Sequence, residues 1–232
     1  MGLANDWAHV ITSISKLERK YRLINRIISL GMDTKVRKKG VYLSGHPAGK
    51  VLDAGAGDGS LSIEILKISN SNLNMILLDP LLNMLKIAKE KINDYRIDYV
   101  VGLLEKSPFR DTSFNKVYMA FSLRDMYNLD EAVRNLLFLM KNKATLTVID
   151  IGKPEHKSLQ IVFSLYWSIV APLLTLFGAP SAWRLIYMIY PTYRRLLTNN
   201  KLANKLKSYF KIRIVKQLFY GGIIIIIAEK TA

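Results

Sequence analysis

Two short stretches hold residue types that chemistry needs. In FSLRDMYN, Phe121 to Asn128, the charged pair Arg124 and Asp125 follows closely on NKVYMA, which alternates polar and apolar residues and ends on the small Ala120. The alternation reads as a buried strand, and the carboxyl ends of strands in open parallel sheets are where such folds place their chemistry. A guanidinium stays protonated at any working pH, so Arg124 can meet developing negative charge but cannot serve as a base. Asp125 can take a proton directly or through a water. The competing reading is an ion pair that ties the loop to the next helix.

The second stretch is VLDAGAGDGS. It follows the first parallel strand and opens a helix. Gly55, Gly57 and Gly59 allow a tight turn and close approach of a ligand, and the helix behind them presents free N–H groups. The spacing G-x-G-x-G is not the dinucleotide G-x-G-x-x-G, and Gly40 to Gly45 continues into His46-Pro47 rather than the Lys-Ser/Thr of a P-loop. Asp53 before the turn suits an aminoacyl ammonium and would repel a pyrophosphate, which points to S-adenosylmethionine (SAM). Asp79 ends the next strand, 24 residues after Gly55, where a carboxylate can accept both hydroxyls of a ribose. With Pro80 behind it, Asp79 also suits a helix N-cap, and the two roles are compatible.

The elements that must position these residues follow from periodicity. Residues 5–40 read as two helices, one with Trp7, Val10, Ile11, Ile14 and Leu17 recurring at helical spacing and the next with Leu23, Ile24, Ile27 and Ile28 doing so. From Lys50 strands and helices alternate. KVLDAG, NMILLD, IDYVVG, NKVYMAF and ATLTVIDIG read as strands; SLSIEILKIS, LLNMLKIAKEKI and DEAVRNLLFLM read as helices. FKIRIVKQLFY and IIIIIAEK form a final hairpin about Gly221-Gly222. The fold class is α/β: a doubly wound, mostly parallel, seven-stranded sheet. Residues 1–40 form a helical N-terminal arm, 41–156 the cofactor-binding core, 157–207 an inserted helical cap and 208–232 the hairpin that completes the sheet.

The chain carries a net charge of +16 and no cysteine, which excludes disulfides and thiolate chemistry. His9, His46 and His156 stand far apart with no second ligand at metal spacing, and no G-x-S-x-G elbow occurs. No basic flank followed by an apolar run marks a signal peptide. Between Gly40 and Glu155 fourteen basic residues balance fourteen acidic ones; between Lys16 and Lys39 nine basic residues meet two acids; between His156 and Ala228 there are ten basic residues and no acid. The excess flanks a neutral core, and fits an anionic membrane surface, nucleic acid or plain solubility. Ser158 to Trp183 has no charged residue. Pro172, Gly178 and Pro180 interrupt it, leaving Ser158 to Ala171, about 21 Å of helix, too short to span a bilayer. Gln160, Ser164 and Ser168 form a thin polar stripe, and Tyr166, Trp167, Trp183, Tyr187, Tyr190 and Tyr193 suit a membrane interface. A buried cap helix, shallow membrane contact and a wall for a greasy substrate all fit.

At this point the chain resembles the ubiquinone/menaquinone biosynthesis C-methyltransferases, within the class I SAM-dependent methyltransferases. KYRLINRIISLGMDTKVRK is similar to the family's Y-D-x-x-N-x-x-x-S-x-G segment, with Tyr21, Asn25, Ser29 and Gly31 in step. GLLEKSPFRDTSFNKV resembles G-D-A-E-x-L-P-F-x-D-x-S-F-D, and FSLRDMYN resembles F-G-L-R-N. GGIIIIIAEK is similar to the family's last strand. Arg22, Leu103, Ser122 and Asp125 stand where the family has Asp, Asp, Gly and Asn. The resemblance implies SAM contacts at Asp58, Asp79, Leu103, Leu104 and Ala120. It implies substrate or catalytic roles for Arg124 and Asp125, with Tyr21, Asn25 and Tyr127 on the acceptor side. The expected reaction is C-methylation of a prenylated quinol in quinone biosynthesis, carried out in the cytoplasm at the membrane, with a homodimer left open. The rival readings are an RNA methyltransferase, a small-molecule O- or N-methyltransferase, and a non-catalytic SAM-binding subunit.

Overall fold

The alternating strands and helices form one seven-stranded sheet in the order β3-β2-β1-β4-β5-β7-β6. The strands are β1 Gly49–Ala54, β2 Leu73–Asp79, β3 Ile97–Val101, β4 Phe114–Ala120, β5 Met140–Ile151, β6 Lys211–Leu218 and β7 Ile223–Glu229. The first five pair in parallel and β7 inserts antiparallel between β5 and β6. This computed structural model describes residues 3, 6–17, 20–186 and 189–231; Tyr187, counted above among the interfacial aromatics, lies outside them. Strand order reverses between β1 and β4, so the loops after these two strands face each other across the switch point, where open α/β sheets bind ligands.

Alternation along each strand feeds two cores. Leu52, Val117 and Leu146 point to one face, covered by α6 (Leu129–Leu139) and the cap's last helix (Asn199–Lys207). Val51, Tyr118 and Ile149 point to the other, covered by α4 (Ser60–Leu66) and α5 (Leu82–Lys91).

The arm differs from expectation. Instead of two helices it has α1 Trp7–Leu17, α2 Tyr21–Ile28 and α3 Asp33–Leu43. The third, DTKVRKKGVYL, has no apolar stripe to announce it. It packs through Val36, Val41 and Gly40, where a Cβ would stand 2.3 Å from Ile149 Cδ1, so a larger residue would push α3 off β5. This accounts for the glycine that mimics half of a P-loop spacing.

The cap holds a second correction. Pro172 does not break the helix: α7 runs from Lys157 to Gly178, 22 residues. A π-helical turn at Tyr166–Val170 precedes the proline, and such a turn absorbs the missing N–H and the ring's clash with the preceding carbonyl. At about 33 Å, length alone would let α7 cross a bilayer. Its packing argues otherwise. Trp167, Ala171 and Thr175 are buried, and a Cβ at Gly178 would meet Ile27 of α2 at 2.6 Å. Behind α7 the cap continues through α8 Trp183–Ile186, α9 Ile189–Arg195 and α10 Asn199–Lys207. The final hairpin turns through Phe219, Tyr220 and Gly221, all at positive φ, a longer turn than Gly221-Gly222 alone suggests.

Candidate active site

Two cavities meet at the switch point. The first is a narrow crevice of about 70 Å³ over the ends of β1, β2 and β4, walled by Gly55, Gly57, Asp79, Leu103, Leu104 and Ala120 and roofed by Trp7 and Ile11 of α1. The second is an apolar cavity of about 320 Å³ enclosed by the arm, the cap and the loop after β4. Ile14, Tyr21, Phe121 and Asp125 line both.

Local sequence explains the crevice. Gly55, Gly57 and Gly59 have φ of +73, +54 and +75, a region L side chains rarely adopt. At Gly55 a Cβ would lie 2.4 Å from Ser122 Cβ, and Ser122 Oγ donates to Ala54 O at 2.8 Å, so the loops after β1 and β4 are held face to face. Asp79 receives N–H bonds from Gly57 (2.8 Å) and Leu81 (2.9 Å), which fix its carboxylate at the crevice. Burial still lifts its pKa to about 6 against those two bonds.

Asp53 and Asp58 are placed differently. Neither is among the residues that line the crevice. Asp58 is buried, and it accepts from Ser60 Oγ (2.6 Å) and Lys91 Nζ (2.6 Å). Burial opposes its charge, but these two partners outweigh it and lower the pKa. Asp53 lies beneath the glycine turn and accepts from Ser62 Oγ at 2.5 Å; burial pushes its pKa to about 7. Its Oδ1 is buried with no hydrogen-bond partner among the described residues.

Arg124 and Asp125 sit in a short 3₁₀ turn, Leu123–Asp125, after Phe121, whose φ of +60 is a strained value for a non-glycine residue. Both line the larger, apolar cavity. Arg124 Nη1 donates to Asp150 at 2.7 Å, and its Nε stands 3.4 Å from Asp125. Asp150 also accepts from the backbone N–H of Arg124 (3.2 Å) and Ile151 (2.8 Å). Burial opposes the Arg124 charge, but Asp125 and Asp150 outweigh it and raise its pKa. Burial raises Asp125 to about 6, against the pull of Arg124 and with a push from Asp150.

Tyr21 and Asn25 line the cavity from α2, and burial raises the Tyr21 pKa. Tyr127 is not brought there. Its half-exposed ring packs edge-on against Trp7, centroids 6.3 Å apart, because the chain turns outward after Asp125 to start α6.

Three site residues escape the sequence pattern. Asp150 sits near the end of β5, an acid within the apolar run TVIDI, which is the signal that could have marked it. Arg37 of α3 is buried, ion-paired to Asp33 at 3.0 Å, and lies 4.8 Å over the Phe121 ring. It lines the same cavity as Arg124, and Nε of both arginines lacks a hydrogen-bond partner among the described residues. Phe121 itself divides the cavities. Local sequence does not single it out, nor Arg37 from the basic residues around it.

S-adenosylmethionine fits the crevice residues. The glycine turn leaves room beside the backbone, Asp79 stands at the position that suits a ribose, and Asp53 Oδ1 beneath the turn is a buried acceptor without a hydrogen-bond partner among the described residues. A family model described as the ubiE/COQ5 methyltransferase family matches residues 4–205; β6 and β7 lie outside the match. The chain is 30% identical over 168 residues to a ubiquinone/menaquinone biosynthesis C-methyltransferase UbiE of Pseudoalteromonas translucida, covering 70% of this chain and 67% of the relative. It is 32% identical over 159 residues to the protein of that name from Pseudomonas putida, where the match spans 66% of this chain and 62% of the relative. In fold it is similar to a SAM-dependent methyltransferase from Thermotoga maritima, with TM-score 0.66 and 16% identity over 96% of this chain and all of that one. A second, from Aquifex aeolicus, gives TM-score 0.62 and 17% identity over 90% and 98%. The chain thus belongs to the ubiE/COQ5 methyltransferase family and is a SAM-dependent methyltransferase.

Proposed function

We propose that this enzyme C-methylates a prenylated quinol precursor of menaquinone- or ubiquinone-type quinones, on the cytoplasmic side of a membrane. The observation that carries this reading is the acceptor cavity. It is large and apolar, is lined by Arg37 and Arg124, and shares Asp125 with the cofactor crevice. A quinol ring with a greasy tail asks for that combination: apolar walls for the tail, and fixed positive charge where a ring oxygen ionises.

The bound cofactor supplies a methyl group activated by a sulfonium. A ring carbon becomes a good nucleophile once the neighbouring hydroxyl gives up its proton. Asp125 accepts that proton. Arg124, held by Asp150, and Arg37, held by Asp33, line the cavity and stabilise the phenolate with their fixed positive charge. After transfer Asp125 hands its proton back to the ring oxygen and takes the proton of the methylated carbon, so the ring regains aromaticity, and that proton leaves to solvent with the products. Phe121 and Tyr21 fix the ring between the two cavities and keep water out. The relatives' names, which place them in ubiquinone/menaquinone biosynthesis, support the acceptor class.

The test is transfer of labelled methyl from SAM to a prenylated 1,4-dihydroxynaphthalene lacking the ring methyl, with carbon attachment read by NMR. The reduced ring should be methylated and the oxidised quinone should not. Methylation on oxygen, or label entering RNA in preference to the quinol, overturns the reading.

A further inference from the structure

We infer that the outward face of α7 lies in the plane of an anionic membrane surface, with the mouth of the acceptor cavity beside it facing the lipid. The helix is inside out. Ile161 (61% exposed), Leu165, Ile169 (51%), Leu173 and Leu176 recur every three or four residues along its outer side, with Phe177 at its end. The polar residues turn the other way: Gln160, Ser164 and Ser168 are half-buried, and Thr175 is fully buried, donating to Ala171 O at 2.9 Å. Water-facing helices place these residue types in the opposite sense. An apolar strip of this length on a monomer's surface marks an interaction site.

The occupant is a lipid surface and not a second copy of the chain. From His156 to Ala228 there is no acidic residue, and the helix opens with exposed Lys157. Neighbouring α2, against which α7 packs, exposes Arg22 and Arg26 beside Leu23, and Leu30 in the turn after it is exposed too. Two copies meeting on this face would bring like charges together, whereas anionic headgroups neutralise them. The helix lies on the protein and does not leave it: Tyr166 OH donates to Ile28 O at 2.7 Å, and Trp167 and Thr175 are buried against the arm and cap. Insertion across a bilayer would strip those contacts, while in-plane docking buries only what is exposed now.

The cavity makes the placement consequential. Phe163, Tyr166 and Trp167 wall it from the inner side of the helix whose outer side is the apolar strip. Leu30 and Phe219 are exposed and also line it, so they mark its mouth. A lipid-borne molecule can pass from the bilayer into this mouth without crossing water. The docking itself stands independently of the reaction proposed above.

The test is flotation of the full chain with phosphatidylcholine vesicles containing a minority of phosphatidylglycerol, against vesicles of phosphatidylcholine alone. The protein should float with the anionic vesicles, and added salt should weaken the binding. The double variant Leu165→Glu/Ile169→Glu should lower partitioning by at least about tenfold, since it removes two exposed apolar side chains that would enter the lipid and adds repelled charge. Tyr95→Glu, at an exposed loop outside this face, should float as the parent does. SAM binding by the double variant, followed by calorimetry, should be unchanged, which shows that it folds and separates failure here from failure of the catalytic reading. Absence of flotation with anionic vesicles, or a double variant that floats like the parent, overturns the inference. A lipid-free dimer that the double variant dissociates assigns the face to a second copy and overturns it as well.

Discussion

The sharpest consequence of the site concerns Asp125. Its carboxyl is buried beside Arg124 and titrates at about 6. As the base it must be ionised before the ring hydroxyl can lose its proton. At about pH 8 nearly all of it is ionised; at about pH 5 roughly one molecule in ten is. The rate should therefore rise roughly tenfold across that range and level off above about pH 7. Asp125→Asn keeps the size and shape of the side chain and installs the residue that the family signature carries, so it should leave the fold and cofactor binding intact. It removes the proton acceptor, and general-base catalysis contributes typically about 10²–10⁴, or about 3–5 kcal/mol of barrier. Methylation of the quinol at SAM concentrations well below saturation, where the rate reports the SAM-free enzyme, followed from about pH 5 to pH 9 for both proteins, measures this. The parent should show the acid limb, and the variant should be slower by that factor at high pH with the limb gone. A flat parent profile, or a variant that keeps both the rate and the limb, would refute the assignment of Asp125 as base.

Other expectations follow from neighbouring contacts. Gly55→Ala forces a Cβ to 2.4 Å from Ser122 at φ +73, which costs about 1–2 kcal/mol for the backbone alone; calorimetry should detect no SAM binding, and adding Ser122→Gly should recover part of it by clearing the overlap. Asp150→Asn leaves Arg124 without its closest carboxylate and should cost about 3 kcal/mol, seen as a melting temperature lower by roughly 10 °C; methyl transfer should fall with it, and Arg124→Lys in the parent should lower the rate as well, because an ammonium lacks the planar fork that lets Arg124 hold Asp150 and face the cavity at once. Asp53 binds its proton up to about pH 7, and a cation brought near its unpartnered, buried Oδ1 lowers that pKa, so SAM affinity should rise with pH through about 7 and binding should release protons; calorimetry in buffers of different ionisation heat reads that release, and an affinity independent of pH between about 5 and 8 rules out an ammonium beside Asp53.

What could be read from sequence followed physical period. The strands and the helices α4, α5 and α6 carry clear apolar alternation, and the structure places each within a few residues of its expected bounds. The helix α3 was not legible because its buried residues are an Asp33–Arg37 pair, two valines and a glycine, which make no apolar stripe. The course of α7 was not legible because proline reads as a break, and the π turn that accommodates it, Tyr166–Val170, leaves no mark in the residue pattern. In the site, Arg124, Asp125 and the glycine turn stood out because charge and glycine are rare at strand ends. Arg37 comes from a helix about ninety residues away in sequence, and Asp150 from the neighbouring strand. Only the tertiary fold brings them to Arg124, so no local spacing could mark them.

The grouping of one guanidinium with two carboxylates decides how the site responds to its cofactor. Asp150 has the 2.7 Å contact with Arg124 and two backbone donors, so it balances the guanidinium, and Asp125 at 3.4 Å is the surplus acid. A surplus buried negative charge is costly, which is why the Asp125 pKa climbs. SAM adds a sulfonium cation in the crevice that Asp125 helps to wall. That charge favours the carboxylate form, so cofactor binding should lower the Asp125 pKa below about 6 and prepare the base. S-adenosylhomocysteine fills the same crevice with a neutral thioether and should lower it less. Carboxyl-carbon NMR titration of Asp125 with each ligand isolates that single charge. Equal pKa values with both would mean that the sulfonium sits too far from Asp125 for the methyl group to reach a ring in the shared wall, and the reaction geometry argued here would fail with it.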